Sequence, residues 1–320
     1  MAAIAVTDLT KEYGSVVGID SLSFSVEKGE VFGFLGPNGA GKTTTIRTLM
    51  GFQSPTAGGA TVLGYDITNE REVIEMKRHV GYLSSDPAFD ENVTGRRYLS
   101  YHAALKGDER SDELLSLFDP PLNRKIREYS RGNKQKLAIV LALMHDPELV
   151  IMDEPTSGLD PLMQERFLEF IRTEQQRGKT FFFSSHILNE VQKVCNRVGI
   201  IRDGHLVEVE DVETLLHRGG KEVRVHVAEA VDEGEFAIDG AHEVELTKSG
   251  SPRAVEADGG DVLTEDSGQG TSVSFTYTGG FETLLTHLLD YTIIDLDIEE
   301  APLEDVFMRF YGEHGDENDV

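Results

Sequence analysis

The sequence predicts an α/β fold, with a parallel sheet interrupted by a helical insertion and followed by a small α+β domain. Three observations support this prediction. The apolar runs "VFGFL", "ELVIMD" and "TFFFSSH" are typical of buried strands in a parallel sheet. Helical spacing dominates from about residue 87 to residue 144, as in "TGRRYLSYHAALKG". After residue 220 the stretches "KEVRVHVA" and "TSVSFTYTG" alternate with period two. We therefore predict domains at 1–220 and 221–320.

Local signals place the elements in order. "SLSFSVEKGEVFGFLG" predicts two short strands around the turn Glu27 to Glu30, and "TTTIRTLMGF" predicts a helix that ends at Gly51. Strands that alternate with helices indicate a parallel sheet. Asp258 to Gly270 shows no periodicity and predicts a loop. "APLEDVFMRFYG" predicts a helix whose apolar face packs within the second domain and contains Leu303, Val306, Phe307, Phe310 and Tyr311.

The charge of the chain is strongly negative. The sequence has 30 Lys and Arg against 57 Asp and Glu, a net charge of −27. Residues 221–320 contain 25 acidic and 5 basic residues, a net of −20, so the first 220 residues carry only −7. Such acidity argues against a nucleic-acid partner and against anionic lipid surfaces. Solvation explains it, and so does adaptation to a salt-rich cytoplasm; we favour the second interpretation.

The sequence also indicates the compartment. A single cysteine, Cys195, excludes an internal disulfide and suits a reducing environment, and its spacing predicts a buried structural thiol. The N-terminus reaches the charged residue Asp8 early, so we expect no signal peptide. The longest apolar run, Leu137 to Met144, is too short to span a bilayer. The chain is therefore expected to be soluble or held at a membrane by another protein.

A phosphate-binding loop carries the first functional signal. "GPNGAGKTT" fits G-x-x-x-x-G-K-[ST] in full and follows the predicted strand Val31 to Leu35. Its glycines let backbone N–H groups close around phosphates, and the following helix directs its positive end at them. Lys42 would reach the β- and γ-phosphates, and Thr43 would offer its hydroxyl to Mg²⁺. The sequence therefore predicts nucleoside triphosphate binding by Gly36, Pro37, Asn38, Gly39, Ala40, Gly41, Lys42, Thr43 and Thr44.

Two further candidates end predicted strands. Asp153 and Glu154 follow four apolar residues in "LVIMDEPTSGLD". With a phosphate loop upstream, Asp153 is predicted to hold Mg²⁺ through water, and the adjacent Glu154, pointing the other way, to act as the general base on an attacking water. A strand-end cap is the simpler alternative for this pair. His186 ends "FFFSSH". A lone histidine is more often a hydrogen-bonded structural residue, but its position after this strand and beyond the acid pair predicts contact with the γ-phosphate or that water.

Four motifs in order, "GPNGAGKTT", "YSRGNKQKLAIV", "LVIMDEPTSGLD" and "SSH", resemble the nucleotide-binding subunit of ATP-binding cassette (ABC) transporters over about residues 4–218. The resemblance implies a P-loop NTPase (RecA-like) core with an antiparallel β subdomain, and ATP hydrolysis with ATP and Mg²⁺ as ligands. Tyr13 in "LTKEYG" matches the aromatic residue that stacks on adenine in this family. Without the family, Tyr13 could equally be an aromatic at a strand edge.

The same resemblance implies a second copy of the chain. In the family two cassettes dimerise head to tail around two ATP molecules, and the signature loop of each closes on the γ-phosphate bound by the other. Ser130 and Gly132 match this loop's serine and second glycine, and Asp160 in "SGLD" matches a residue that crosses the interface. Asp160 also precedes Pro161 as a helix N-cap would, and both roles are compatible.

This sequence departs from the family pattern in the signature loop. Tyr129, Arg131 and Asn133 replace the usual Leu, Gly and Gln, in a "YS[RK]G" form that resembles the export-related branch. The charges of Arg131, Lys134 and Lys136 suit either a solvated surface or support for a bound anion.

A second departure concerns the metal. The family's Mg²⁺-binding glutamine aligns with Ser85, whose shorter side chain reaches less far; Asp86 is the alternative through a bridging water.

The resemblance implies an ATPase subunit that energises a separate transmembrane permease. The "YSRG" form and "PLEDVFMRFYG" favour export as the direction of transport. It implies a cytoplasmic protein, peripheral at the inner face of the membrane, with the insertion around Ser85 to Leu105 passing motion to the permease. A soluble ABC ATPase acting on ribosomes or DNA is the alternative. A phosphotransferase of the phosphate-loop class ranks last, since it leaves the signature loop unexplained.

Overall fold

The computed structural model describes residues 2–248 and 270–300 of the 320-residue chain. The chain divides into two compact units, of which the first is Met1–Val212 and the second begins at Glu213. The sequence analysis placed this boundary near residue 220, where the charge changes, and the helix Val212–Gly219 accounts for the difference. None of the helices in the described part of the chain is long and apolar enough to cross a bilayer.

The elements follow in chain order. The strands are β1 (Ala2–Tyr13), β2 (Val16–Glu27), β3 (Val31–Leu35), β4 (Ala57–Val62), β5 (Tyr65–Asp66), β6 (Val80–Leu83), β7 (Leu149–Asp153), β8 (Thr180–Ser185), β9 (Arg197–Arg202), β10 (His205–Asp211), β11 (Lys221–Val227), β12 (Ala241–Lys248), β13 (Thr271–Tyr277) and β14 (Ile293–Glu300). The helices are α1 (Lys42–Leu49), α2 (Glu70–His79), α3 (Gly95–Lys106), α4 (Ser111–Phe118), α5 (Arg131–Leu143), α6 (Pro161–Gln176), α7 (Leu188–Val194), α8 (Val212–Gly219) and α9 (Phe281–Leu288).

A six-stranded sheet forms the centre of the first unit, in the order β10-β9-β3-β8-β7-β6. Its neighbouring strands are parallel, except that β10 is antiparallel to β9. Every residue of β3, β7 and β8 is buried, as expected for parallel strands covered on both faces. This architecture confirms the predicted α/β fold. The carboxyl ends of β3, β7 and β8 meet at one edge, so the residues that follow these strands are brought together.

An antiparallel sheet, in the order β2-β1-β4-β5, forms a second layer of the first unit. The turn predicted at Glu27 to Glu30 connects two strands, but β2 is twelve residues long and lies in a different sheet from β3. The aromatic residues explain this arrangement. Phe24 of β2 stacks on Phe32 and Phe34 of β3, with ring centroids 5.6 Å apart in both pairs. The turn therefore carries the chain from one layer to the next across a shared aromatic core.

Three helices, α3, α4 and α5, lie between β6 and β7 in the region predicted to be helical. Local capping explains where several helices begin. The Thr94 side chain accepts a hydrogen bond from the N–H of Arg97 at the start of α3. The Asn69 side chain caps α2 in the same way. The first turns of these helices are therefore specified by the local sequence.

The second unit is an α+β domain, as predicted. Its antiparallel sheet has the order β12-β13-β11-β14, and α9 follows β13. Alternate residues of β11 are buried with residues of β13 and α9 in one core: Val223, Val225, Val227, Val273, Phe275, Tyr277, Leu284 and Leu288. Residues 258–269 of the predicted loop lie outside the described residues, as does the predicted helix with Leu303, Val306, Phe307, Phe310 and Tyr311.

Candidate functional site

The phosphate loop joins β3 to α1 at the carboxyl edge of the sheet. Pro37, Asn38 and Gly39 are exposed at its tip, whereas Gly36 and Ala40 are buried beneath them. Gly41 is the N-cap of α1, with a φ of 110° and no side-chain cap hydrogen bond. Glycine adopts this conformation without strain, and the amino end of α1 is a favourable place for an anion.

Lys42 lies at the first position of α1. Its ammonium donates hydrogen bonds to the carbonyl oxygens of Gly36 at 2.6 Å and Pro37 at 3.1 Å. The side chain is only 5% exposed, and its Nζ lies 3.7 Å from Oε1 of Glu154. Burial lowers the pKa of Lys42 from its ordinary value, while the carboxylates of Glu154 and Asp153 oppose that shift. The positive charge of Lys42 therefore lies between the phosphate loop and the acid pair.

Asp153 is a buried carboxylate surrounded by hydroxyl groups. The hydroxyls of Thr43 and Ser85 donate to its Oδ2 at 2.9 Å and 3.4 Å, and the hydroxyl of Ser184 donates to its Oδ1 at 2.7 Å. This donor set consists entirely of oxygen, which is what Mg²⁺ prefers. The side chains of Thr43, Ser85 and Asp153 therefore fit a magnesium ion. Ser85 lies close enough to Asp153 for both to bind the same ion.

Glu154 directs its carboxylate away from that cluster. Its φ of 46° places a non-glycine residue in the left-handed region, which turns the chain at the end of β7. As a result Oε1 of Glu154 lies 3.2 Å from Nδ1 of the half-exposed His186, and near Lys42. The two neighbouring acids thus have different surroundings. Asp153 is buried among hydroxyl groups, whereas Glu154 faces a histidine and a lysine.

Tyr13 lies beside the same loop, at the end of β1. Its hydroxyl donates a 2.7 Å hydrogen bond to Oε1 of Gln53, and Nε2 of Gln53 donates to the carbonyl of Thr44 at 3.0 Å. The Tyr13 side chain is 48% exposed. The structure therefore brings the predicted adenine contact next to the phosphate loop.

The signature-loop residues form a separate group. The exposed Ser130 accepts a hydrogen bond from the N–H of Asn133 and caps α5. A Cβ on Gly132 would lie 2.8 Å from the carbonyl oxygen of Gly158, so only glycine allows this approach. No hydrogen bond among the described residues connects Ser130 or Gly132 to the phosphate loop. One chain thus carries both groups but does not join them.

Two of the basic residues at the signature loop, Arg131 and Lys134, have partners in the structure. Arg131 donates to the hydroxyl of Ser157 at 2.6 Å, and Lys134 pairs with Glu91 at 2.5 Å. Asp160 accepts a 3.0 Å hydrogen bond from the N–H of Met163, which makes it the N-cap of α6. The loop after Glu154 and the start of α5 are therefore tied to each other within one chain.

Ser184 is a site residue that was not predicted from the sequence. Besides donating to Asp153, its hydroxyl accepts a hydrogen bond from the N–H of Glu154 at 3.2 Å, and its carbonyl accepts from the same N–H at 3.1 Å. Two serines at the end of the buried run "FFFSSH" were the available signal, because buried hydroxyls need partners. Ser184 therefore holds both acids in position from the neighbouring strand.

We expect Ser184→Ala to lower the ATP turnover number about 10-fold, because a hydrogen bond to a charged group is lost beside both acids. The KM for ATP should change little, since the phosphate loop is untouched. Ser185→Ala is the matched control. Ser185 is equally buried, but its hydroxyl donates to Glu190 rather than to the acid pair. Equal turnover by the two folded variants would show that Ser184 has no positioning role.

Comparison with known proteins reveals clear similarity. The family model described as "ABC transporter" matches residues 19–157. The bacitracin transport ATP-binding protein BcrA of Bacillus licheniformis is 39% identical over 224 residues, 68% of this chain and 72% of that protein. The linearmycin resistance ATP-binding protein LnrL of Bacillus subtilis is 30% identical over 319 residues, 95% of this chain and 97% of that protein.

A solved structure has the same fold. It is an ATP-binding cassette in a dimeric post-hydrolysis state, bound to ADP and phosphate, and it is 20% identical to this chain with a TM-score of 0.59. The similarity covers 65% of this chain and 98% of that cassette.

Proposed function

The chain belongs to the ATP-binding proteins of ABC transporters, and we propose that it hydrolyses ATP at the described site to energise a separate permease, in the direction of export. One observation carries the catalytic part of this proposal. Lys42, Thr43, Asp153 and Glu154, which come from two distant segments, are joined by contacts of 2.9 Å between Thr43 and Asp153 and 3.7 Å between Lys42 and Glu154.

ATP would be held by the loop amides and by Lys42. When the triphosphate enters, the ammonium can exchange the carbonyl oxygens of Gly36 and Pro37 for phosphate oxygens without moving to another part of the fold. Asp153, Thr43 and Ser85 would hold Mg²⁺, which neutralises charge on the β- and γ-phosphates. The hydroxyl-lined carboxylate supports this assignment.

Glu154 is proposed as the general base. Its carboxylate accepts a proton from water as the water oxygen bonds to the γ-phosphorus, and the bond from that phosphorus to the ADP oxygen breaks. His186, 3.2 Å from Oε1 of Glu154, holds the carboxylate and lies where it can reach the γ-phosphate. The products are ADP and inorganic phosphate.

A second copy of the chain would complete each site. Ser130 and Gly132 lie at the amino end of α5, where a hydroxyl, backbone amides and the helix dipole favour an anion. Among the described residues of one chain these groups make no hydrogen bond to the phosphate loop, and we propose that they close on the γ-phosphate of the partner. Asp160 would cross the same interface. The dimeric state of the structurally similar cassette supports this arrangement.

The names of two relatives support the proposal of export through a separate permease. One is named for bacitracin transport and the other for linearmycin resistance, and removal of a drug from the cell is one way to become resistant to it. The chain would therefore act at the inner face of the membrane. On α3 the apolar side chains of Tyr101 and Leu105 are 61% and 63% exposed. Exposed apolar groups one helical turn apart are suited to contact with another protein, and we propose the permease.

We expect the double variant Tyr101→Ser/Leu105→Ser to keep ATP turnover in solution, since neither residue lies at the nucleotide site. Its recovery with permease-containing membranes should fall at least about 10-fold, because apolar surface at the contact is lost. Co-sedimentation with membranes measures this effect. Val207→Ser, at an apolar residue of β10 that is 41% exposed, is the control. Undiminished recovery of the α3 variant would exclude this surface.

Transport itself is tested in cells. Deleting the gene for this chain together with a neighbouring gene for a polytopic membrane protein should raise accumulation of the exported compound, and restoring both should reverse it. Co-purification with ribosomes, without any membrane association, would refute the proposal. Assays of the purified chain should be run at low and at high salt, because a net charge of −27 causes self-repulsion that salt screens.

A further inference from the structure

We propose that Gln53 is the positioning residue for Tyr13: it ties the ring to the helix of the phosphate loop, so that the surface for the nucleotide base is set before ATP arrives. This inference rests on the proposed function, because it takes Tyr13 as the residue that stacks on the base. It adds a residue that lies outside all four motifs. The observations that support it concern three sides of the tyrosine ring.

The first observation is a continuous chain of hydrogen bonds. The Tyr13 hydroxyl donates to Oε1 of Gln53 at 2.7 Å. Nε2 of Gln53 donates to the carbonyl of Thr44 at 3.0 Å and to the hydroxyl of Thr48 at 2.9 Å. Thr44 and Thr48 both belong to α1, whose first turn follows the phosphate loop. The base contact and the phosphate contact are therefore connected through one glutamine.

A glutamine suits this position because its amide both accepts and donates. The carbonyl oxygen takes the hydrogen of the Tyr13 hydroxyl, and the NH₂ group supplies two hydrogens to α1. A carboxylate would accept the first hydrogen but would offer none to the carbonyl of Thr44. An apolar side chain of the same length would do neither. The amide is therefore the functional group that this geometry requires.

The edge of the ring is confined by the backbone of β2. A Cβ on Gly18 would lie 2.9 Å from Cε2 of Tyr13 and 3.2 Å from Cγ2 of Thr44. The absence of a side chain at Gly18 thus lets the ring lie close to the strand, next to the first turn of α1. A side chain at this position would therefore require the ring of Tyr13 to move.

Lys11 lies over one face of the Tyr13 ring and restricts its movement on that side. Nζ of Lys11 lies 5.5 Å from the centroid of the Tyr13 ring and donates a 2.8 Å hydrogen bond to the carbonyl of Ser54, directly after Gln53. The segment 53–54 therefore holds both the tyrosine and the lysine. With 48% of its surface exposed, the ring still presents area on which a purine can stack.

Restraint matters because Tyr13 ends β1 and about half of its side chain is exposed, so without the hydrogen bond to Gln53 the side chain could adopt other rotamers. A side chain that is ordered before binding does not lose that freedom when the base stacks on it. Removing the restraint should therefore weaken binding of nucleotides that have a base. It should leave the affinity for a bare polyphosphate unchanged, since Lys42 and the loop amides remain.

Calorimetric titration of the full-length chain at high salt tests this difference, with Mg²⁺-ATP and inorganic tripolyphosphate as the two probes. Gln53→Met keeps the length of the side chain, and Tyr13→Phe keeps the ring, but each loses the connecting hydrogen bond. Each should weaken ATP binding about 3- to 10-fold and change tripolyphosphate binding less than about 2-fold. The double variant should be no weaker than either single variant, because both remove the same interaction.

Two controls separate this inference from the proposed function. Gln175→Met removes a comparable amide, which donates to the carbonyl of Gly29 away from the site, and should bind ATP normally. Tyr13→Ala removes the ring and should weaken ATP binding at least as much as Gln53→Met. If Tyr13→Ala weakens ATP binding and Gln53→Met does not, the inference is wrong while the stacking role stands.

Other outcomes are equally informative. If Gln53→Met weakens tripolyphosphate binding as much as ATP binding, Gln53 supports α1 and does not position the ring, which overturns the inference. If Tyr13→Ala binds ATP normally, both the stacking role and the positioning role fall. The proposed ATP hydrolysis would survive either result, because it depends on Lys42, Asp153 and Glu154.

Discussion

Glu154→Gln should retain ATP binding and lower ATP turnover at least about 100-fold, the usual contribution of a positioned general base. The amide cannot accept the proton of the attacking water. The substitution also removes a negative charge 3.7 Å from Lys42. The loss of this charge lowers the repulsion of the triphosphate and so favours its binding. In the presence of ATP the variant should therefore accumulate as a closed dimer. Phosphate release and size-exclusion chromatography with ATP measure the two effects.

The matched control is Glu148→Gln. Glu148 directly precedes β7, at the opposite end of the strand from the acid pair, and its side chain is 60% exposed. We expect this variant to keep wild-type turnover and to form no trapped dimer. Turnover within about 2-fold of wild type in Glu154→Gln would exclude Glu154 as the base. His186 would then be the next candidate, since it lies 3.2 Å from that carboxylate.

Ser130→Arg should leave nucleotide binding by the monomer unchanged, yet prevent ATP-dependent dimer formation and lower turnover about 100-fold. Ser130 is exposed, so the chain can accommodate the larger side chain. The lost N-cap of α5 costs about 1 kcal/mol, which the fold tolerates. The arginine instead occupies the surface that would meet the partner's γ-phosphate. Equilibrium titration, light scattering and phosphate release report the three quantities.

Two comparisons make this prediction specific. Ser116→Arg introduces the same side chain at an exposed serine of α4 and should be active. Mixing Ser130→Arg with Lys42→Ala should restore part of the turnover, because one site of the mixed dimer then pairs an intact Lys42 with an intact Ser130. A defect confined to one chain cannot be repaired by mixing. Normal turnover by Ser130→Arg alone would contradict a site shared between chains.

Contiguous signals allowed much of the site to be predicted. The loop from Gly36 to Thr44 and the pair Asp153 and Glu154 each lie within one short segment that ends a buried strand. Parallel strands bring such ends to one edge of a sheet, so their proximity follows from the fold class alone. For the same reason His186, at the end of β8, was predicted to lie near them.

Residues that act through long-range contacts were not predictable. Gln53 is forty positions from Tyr13, and Ser184 is thirty-one from Asp153. Gln53 follows a helix and Ser184 ends an apolar run. No motif or spacing in the sequence indicates which residue either of them would contact. The pairing of Arg131 with Ser157 is of the same kind, and it accounts for a charge that the sequence left unresolved.

The antiparallel layer shows the same limit. Alternation in "SLSFSVEKGEVFGFLG" indicated strands on both sides of the turn. Their assignment to two different sheets depends on the stacking of Phe24 on Phe32 and Phe34, which brings together aromatic rings from both layers. Packing of this kind is decided by volume and shape across the core.

The sequence by itself determined the α/β class, the phosphate loop, the acid pair and the acidic character of the second unit, because each depends on residues that are close in the chain. Only the tertiary structure decided which groups surround the two acids: hydroxyls for Asp153, and His186 and Lys42 for Glu154. It also decided that Ser184 orients both acids and that Gln53 links Tyr13 to α1. These depend on hydrogen bonds between segments, and a hydrogen bond is specified by distance and angle that no spacing along the chain encodes.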